Sequence, residues 1–194
     1  MKAIFYSLIL FGCLGCRAEK EWTLTSPDGA VRFVATQVPE GEETTILQYS
    51  VYCGDSLVIN PSRLGLVMDG IEYGKDARPA GKAVVKTMNE PYELKAGKQL
   101  RTVNACREMT IPFEGFQLIV RAYDDGIAFR YAFTQEDDGK QHTITDELTE
   151  FSVPANGKAW IHPYDWNERH KPSYEQYSKN GIAINTEASH GLGW

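Results

Sequence analysis

The sequence has 194 residues, enough for one large domain or two small ones, and its 42% apolar and 24% charged residues are typical of a globular protein. Its net charge of −6 argues against nucleic-acid binding, because no segment supplies the concentrated Lys and Arg that phosphates require. We therefore expect no nucleic-acid partner.

The first element is an export signal. Lys2 is followed by an apolar run over residues 3–11 and then by small residues and cysteines. The run is too short for a membrane-spanning helix, which needs about 20 apolar residues.

A lipid-attachment sequence follows this run. Residues 10–13 (LFGC) and 13–16 (CLGC) both resemble the bacterial lipobox, so Cys13 and Cys16 are the candidate lipidation sites, and Leu10 slightly favours Cys13. We predict a lipoprotein signal peptide over residues 1–16 and a periplasmic or outer-membrane-associated lipoprotein, held to the membrane by its acyl chains. The alternative is ordinary cleavage and release.

The rest of the chain is predicted to form strands and turns. Short apolar or alternating runs are separated by Gly, Pro, Asn or Asp, and no run of 12 residues keeps a helical stripe. The predicted strands are 22–26, 30–38, 47–52, 56–59, 83–87, 100–111, 116–123, 127–133, 143–153 and 158–161. This pattern predicts an all-β sandwich or barrel with mainly antiparallel sheets, not split by any linker or repeat.

Asp124, Asp125 and Gly126 raise the question of an acid/base pair, because they lie between two of these strands. Asp-Gly supplies the positive φ of a tight hairpin turn, so we predict a turn with Gly126 in that conformation. A glycosidase pair needs carboxylates about 5–9 Å apart across a sugar, which adjacent residues do not provide. We interpret the stretch as structural.

The two cysteines beyond the signal have two interpretations. Export would permit a disulfide between Cys53 and Cys106. Both cysteines, however, fall in strand-like patterns where free thiols are common, and no dense cysteine framework surrounds them. We favour free thiols.

Other polar residues give no clear metal or catalytic site. The four histidines have no partner at metal-ligand spacing; they are His142, His162, His170 and His190. Three carboxylates near one strand could bind a cation, but surface exposure is the favoured interpretation; they are Asp146, Glu147 and Glu150. We assign no metal ligand and no catalytic residue.

Aromatic residues crowd the last part of the chain. Trp160, Tyr164, Trp166, Tyr174 and Tyr177 have no clear strand period after residue 161. Rings with polar tips suit sugar-binding faces and domain interfaces, so these five are the candidate carbohydrate-binding residues. Core filling is an equally good interpretation of any single one.

The sequence ends on a large apolar residue, Trp194, with neither a polar tail nor a closing strand. We therefore expect a fragment of a longer protein. Whether it is a natural product or a truncated gene stays open.

Five short motifs in order carry a family resemblance. They are SPDG at 26–29, NPSRLGL at 60–66, RAYDDGIAFRY at 121–131, ITDELTEF at 144–151 and SYEQYS at 173–178. The set is similar to the N-terminal domain of glycoside hydrolase family 97, the Bacteroides-type alpha-glucosidases and alpha-galactosidases. It covers nearly the whole mature chain.

The resemblance implies a large antiparallel β-sandwich, a supersandwich of the galactose-mutarotase-like kind, over residues 17–194 and incomplete at its C-terminal end. In that family a catalytic (β/α)8 barrel and a small C-terminal β domain follow. The catalytic carboxylates belong to the barrel, which these 194 residues lack, so we expect no hydrolysis by this chain alone.

The resemblance also implies a cofactor. The full-length family enzyme is expected to bind calcium, partly through a glutamate that its N-terminal domain lends. We place that position after Trp194 and expect no cofactor in this chain. Glu175 and Glu187 are the nearest acidic residues, and nothing around them selects either.

The expected partners are the barrel, in the same or an adjacent polypeptide, and an alpha-linked oligosaccharide. The function implied is packing against the barrel and walling its sugar site. A free-standing carbohydrate-binding lipoprotein is the alternative, and a complete small hydrolase is a third, weaker one.

Overall fold

The computed structural model describes residues 20–133, 139–161 and 179–187. These residues form thirteen strands and no helix. The strands are β1 Lys20–Thr25, β2 Val31–Glu40, β3 Thr44–Cys53, β4 Ser56–Leu64, β5 Leu66–Met68, β6 Ile71–Tyr73, β7 Val84–Glu93, β8 Arg101–Phe113, β9 Phe116–Tyr123, β10 Gly126–Phe133, β11 Ile144–Glu147, β12 Lys158–Ile161 and β13 Lys179–Ala183. Within this part of the chain no helix is long and apolar enough to cross a bilayer.

Two four-stranded antiparallel sheets form the body of the molecule. The first has the order β1-β2-β3-β4 and the second β10-β9-β8-β7. The first sheet contributes Phe33 and Leu47 to the core, and the second contributes Ile111 and Leu118. The prediction of an all-β, antiparallel β-sandwich is confirmed.

Strand β9 illustrates why these residues form this core. Phe116, Leu118, Val120 and Ala122 are buried, and the residues between them are only partly buried. Side chains alternate between the two faces of a strand, so a period of two places one complete set in the core. Each large apolar side chain buried there contributes about 1.5–3 kcal/mol.

A smaller sheet, β11-β5-β6, adjoins the end of β4. Chain pairing continues past β11, because the Leu148 amide donates to the Gly65 carbonyl and the Glu150 amide to the Arg63 carbonyl, both at 2.9 Å. The strand predicted over residues 143–153 is therefore regular only over Ile144–Glu147. The remainder is an irregular extension that follows β4.

Gly74 allows the chain to leave β6 close to β4. Its φ is +100°, and a Cβ atom placed there would lie 2.2 Å from the Leu64 carbonyl oxygen. Both the backbone conformation and the contact therefore require glycine.

Strands β7 and β8 extend beyond the sandwich as a two-stranded ribbon. Residues 101–106 of β8 pair only with β7, whereas β9 pairs with β8 only from Arg107 onward. Exposed apolar side chains on the ribbon include Tyr92, Leu100 and Val103. An isolated two-stranded ribbon is marginally stable in water, so this part depends on the sandwich for its order.

Candidate functional site

The turn at Asp124 and Asp125 is a hairpin loop, as predicted. Tyr123 pairs with Gly126, and the two aspartates make the connection between β9 and β10. The Asp124 carboxylate accepts a hydrogen bond of 3.0 Å from the Asp28 amide, in the loop between β1 and β2. Asp124 thus ties a hairpin of one sheet to a hairpin of the other.

The predicted conformation of Gly126 is wrong. Gly126 is not among the residues with positive φ, and neither are Asp124 and Asp125. Gly126 already belongs to β10, paired with Tyr123, so the turn is completed before the chain reaches it. A Cβ atom there would meet nothing within 4 Å.

Asp28 beside this turn is a hydrogen-bond acceptor rather than a proton donor. The Ser26 hydroxyl donates to its carboxylate at 2.6 Å and the Ala30 amide at 2.9 Å. The bond from Ser26, followed by the bond from Ala30, lowers the pKa of Asp28. A carboxyl group held ionised in this way fixes a loop and does not suit general acid catalysis.

The structure places the other sequence candidates apart. Cys53 is exposed, Cys106 is buried, and both are free thiols, which confirms the favoured interpretation. Asp146 and Glu147 are exposed on β11, and the Glu150 carboxylate accepts a hydrogen bond of 3.1 Å from the Arg63 amide. The described residues contain no group of three or more potential metal ligands.

His142 makes a local contact. Its Nδ1 lies 2.6 Å from Oδ2 of Asp69, and the other carboxylate oxygen, Oδ1, accepts a hydrogen bond of 2.9 Å from the Thr143 amide. The Thr143 bond, with the His142 bond second, lowers the pKa of Asp69. The pair fastens residues 142–143 to the turn between β5 and β6. The other histidines lie outside the described residues.

Of the predicted carbohydrate-binding aromatics, only Trp160 lies in the described residues. It is on β12, which pairs with β13, and 65% of it is exposed. Tyr164, Trp166, Tyr174 and Tyr177 lie outside the described residues, as do the lipidation candidates Cys13 and Cys16.

A second group of aromatics, which sequence reasoning missed, lies at one side of the sandwich. We call it the open flank: Phe129, Tyr131 and Phe133 on the inner face of β10, together with Phe151. The Phe151 ring stacks on Phe129 with centroids 6.1 Å apart, and yet 67% of Phe151 is exposed. The alternation of apolar residues along 127–133 could have predicted that the β10 rings share one face of their strand. The position of Phe151 beside them depends on the tertiary fold and could not be predicted in this way.

The outer face of the second sheet carries a charged row. Glu108 is only 5% exposed and lies between Lys86 at 2.9 Å and Arg121 at 2.6 Å. These three residues are direct cross-strand neighbours on β7, β8 and β9. Burial by itself would raise the pKa of Glu108, but the hydrogen bonds from Lys86 and Arg121 outweigh it and hold that pKa below its ordinary value.

A depression of about 190 Å³ lies beside this row. Its lining residues belong to β9 and β10: Ile119, Arg121, Tyr123, Ala128, Phe129 and Arg130. The Tyr123 hydroxyl donates to Asn104 at 3.0 Å, which holds the ring in place. Arg130 is exposed, and Ala128 opposite Arg121 is small enough to leave the space open.

Solved structures with a similar fold include enzymes of glycoside hydrolase family 97. A family 97 enzyme from Pseudoalteromonas, solved with acarbose, is 26% identical with a TM-score of 0.62 over 73% of this chain and 22% of that one. A beta-arabinopyranosidase is 22% identical with a TM-score of 0.71 over 89% of this chain and 28% of that one, a likeness in fold alone.

Proteins with a similar sequence are named as glycosidases as well. A retaining alpha-galactosidase of Bacteroides thetaiotaomicron is 27% identical over 188 residues, which is 90% of this chain and 26% of that protein. A probable retaining alpha-galactosidase of Streptomyces bingchenggensis is 26% identical over 151 residues, 75% of this chain and 23% of that protein. The chain spans about a quarter of the length of these relatives.

The fold and these relatives define the class: an antiparallel β-sandwich domain of the kind found in glycoside hydrolases. The chain belongs to the glycosyl-hydrolase 97 N-terminal family, whose model matches residues 24–190. The predicted resemblance is confirmed. The chain is thus an N-terminal domain of family 97 glycosidases.

Proposed function

We propose that this domain is non-catalytic, that it packs against a family 97 catalytic (β/α)8 barrel, and that it walls one side of the site for an alpha-linked oligosaccharide. The observation that carries the proposal is the open flank. In the described part of the chain β10 pairs only with β9, so its other edge has no partner strand, and its half-buried rings are contacted there by Thr149 and Phe151.

The flank has the chemistry of a surface that another domain covers. Phe151 has 67% of its surface exposed although its ring contacts both Tyr49 and Phe129. Nearby in sequence, Ile144 and Val153 are exposed as well, by 59% and 42%. A contiguous patch of exposed apolar side chains is typical of interaction sites, and covering such a patch removes apolar surface from water.

Sugar binding by this chain itself would rest on Trp160 and the other late aromatics. An exposed indole ring offers an apolar platform with a polar N–H, which suits a sugar face. Relatives point to the same ligand class, since one is solved with acarbose and others are named alpha-galactosidases. A single platform gives weak binding, so the barrel would supply most of the sugar site.

Calcium does not fit the described residues by themselves. The cation takes six to eight oxygen ligands, and the described residues gather no group of three candidate ligands. We propose that a calcium ion in a full-length enzyme is held by residues other than these.

The membrane anchor is also a proposal. Acylation of Cys13 or Cys16 would tether the domain in the periplasm or at the outer membrane. The expressed protein should then incorporate a palmitate analogue and partition into detergent, and replacing both cysteines by serine should abolish both properties. Equal labelling of the double variant would exclude the anchor.

Light scattering on the purified 194-residue chain tests the open flank. Without its partner, the chain should self-associate, and Phe151→Ser should reduce this because the exposed ring is removed. Val84→Ser is the matched control, since Val84 is 65% exposed on β7, a different strand edge. Equal association of both variants and the parent would contradict the role of the flank.

The alternative is a free-standing carbohydrate-binding module, which exposed Trp160 would favour. A well-behaved monomer that binds maltose or galactose, and loses binding on Trp160→Ala, would support that alternative. The DNA that follows the Trp194 codon offers a second test. A barrel encoded there, in frame or frameshifted, supports the two-domain proposal, whereas a stop followed by intergenic DNA supports the module.

A further inference from the structure

We propose that the depression on the outer face of the second sheet binds the carboxylate of an acidic sugar residue between Arg121 and Arg130. This inference rests on the proposed role in carbohydrate recognition for its choice of ligand. The two arginines lie on the outer face of β9 and β10, whereas the β10 rings of the open flank pack toward the core, and Phe129 is the one residue that both surfaces share.

Strand register brings the two guanidinium groups together. Arg121 is directly opposite Ala128, and Arg130 is two residues further along β10. Diagonal neighbours of this kind on one face of an antiparallel pair are about 7–8 Å apart at the backbone, within reach of two long side chains. One carboxylate can therefore contact both arginines.

The charges of the site are not balanced. Glu108 is the carboxylate that pairs with Arg121, and it also pairs with Lys86. Arg130 makes no ion pair within the described residues. The row and the depression thus hold three cations against one anion, on a chain whose net charge is −6. An anionic ligand would relieve this local excess, and a guanidinium group binds carboxylate oxygens in a planar fork.

The other lining residues favour a sugar over a simple ion. Tyr123 presents a fixed ring, and Ile119 and Ala128 present apolar surface. Aromatic and aliphatic surface next to polar donors suits a pyranose ring with its C–H groups on one side. The volume of about 190 Å³ is below the roughly 300–1,000 Å³ of pockets for larger ligands, so one sugar residue is the largest occupant.

Calorimetric or NMR titration of the 194-residue chain tests this at constant ionic strength. The probes are sodium D-galacturonate, neutral D-galactose and sodium sulfate. We expect galacturonate to bind with a Kd on the order of 1 mM and the other two at least about tenfold more weakly, because only galacturonate presents both the charge and the ring.

Four variants test whether galacturonate binds in this depression. Arg130→Ala should weaken galacturonate binding at least about tenfold. The affinity of Arg130→Lys should lie between those of the parent and Arg130→Ala, because lysine keeps the charge but loses the forked guanidinium group. Ala128→Leu should also weaken binding, by filling the depression without a change in charge. Arg78→Ala is the matched control, since it removes an exposed arginine from a loop elsewhere and should leave the Kd unchanged.

The results of these titrations distinguish failure of this proposal from failure of the proposed function. Binding of sulfate as tight as that of galacturonate would assign the site to free anions and overturn the sugar assignment. No binding of galacturonate, or equal binding to the Arg130→Ala variant, would overturn the site itself. Failure of either kind leaves the proposed docking role standing if Phe151→Ser still reduces self-association, so the two proposals fail independently.

Discussion

At the scale of single residues, the carboxylates of this domain mainly fix its conformation. Asp28 closes the loop between β1 and β2, Asp124 joins that loop to the hairpin of β9 and β10, and Glu108 holds cations from two neighbouring strands. Asp28 and Glu108 accept hydrogen bonds from donors that lower the pKa of each carboxyl group. The side chains of Asp28 and Asp124 interact where two loops meet, which differs from the two carboxyl groups placed across a sugar that glycoside hydrolysis requires.

The link between the two hairpins gives the first prediction. Asp124→Ala removes the acceptor for the Asp28 amide and should lower the Tm by about 2–4 °C, the loss of one modest hydrogen bond. Asp124→Asn keeps an acceptor and should be milder. Gly126→Val should change the Tm little, because the backbone there is not left-handed and space is open. A large loss from Gly126→Val would mean that the turn is of another type.

Glu108 gives a pH-dependent prediction. Its pKa in the folded state lies below the ordinary value of 4.5, so its ionised form adds stability that is present above that value and is lost as the pH falls through the lowered pKa. Glu108→Gln should therefore cost about 1–3 kcal/mol at pH 7, measured by urea unfolding.

The same comparison at lower pH is the control. The difference between parent and Glu108→Gln should shrink below pH 4.5, because the protonated parent then resembles the variant. A difference that stays constant between pH 7 and pH 3 would show that the ion pairs with Lys86 and Arg121 do not stabilise the fold.

At the scale of elements, strands bounded by turn residues on both sides were predicted well, and strands without a readable alternation were predicted poorly. Strands β9 and β12 have the predicted bounds, since each is a compact run with turn residues on both sides. Strands β5 and β6 were missed because three residues cannot show a period. The far end of β7 was missed because residues 89–93 are all exposed and include Pro91, so they show no alternation of apolar and polar residues.

The open flank and the charged row were harder to predict from the sequence than the strands themselves. The open flank joins β10 to Phe151, and the charged row joins β7, β8 and β9, so both depend on strand order. Sequence periodicity assigns a residue to a face of its own strand and does not say which strands are neighbours. The turn at Asp124 was predictable because its chemistry is local, although the conformation of Gly126 was not.

Hydrogen exchange should separate the sandwich from the ribbon. Amides of Leu118, Val120 and Ala122 in β9 lie in the buried centre of the second sheet, whereas residues 89–93 and 101–105 pair only with each other. We expect the ribbon amides to exchange about 100-fold faster or more, because they open without disrupting the core. Equal protection of both regions would mean that the ribbon is ordered as firmly as the core.

At the scale of the whole molecule, two sheets form one core, and distinct surfaces remain available for partners. The open flank suits another domain, and the depression between Arg121 and Arg130 suits an anionic group. Neither surface presents an acid and a base, so we propose that bond cleavage takes place in a different domain.

Hydrolysis assays on the purified chain test that central claim most directly. The substrates are nitrophenyl alpha-galactoside and nitrophenyl alpha-glucoside, with calcium present. We expect no nitrophenol release above a blank, because hydrolysis ordinarily needs two carboxylates placed across the scissile bond. Turnover that survives repurification and follows the protein through a second column would contradict it.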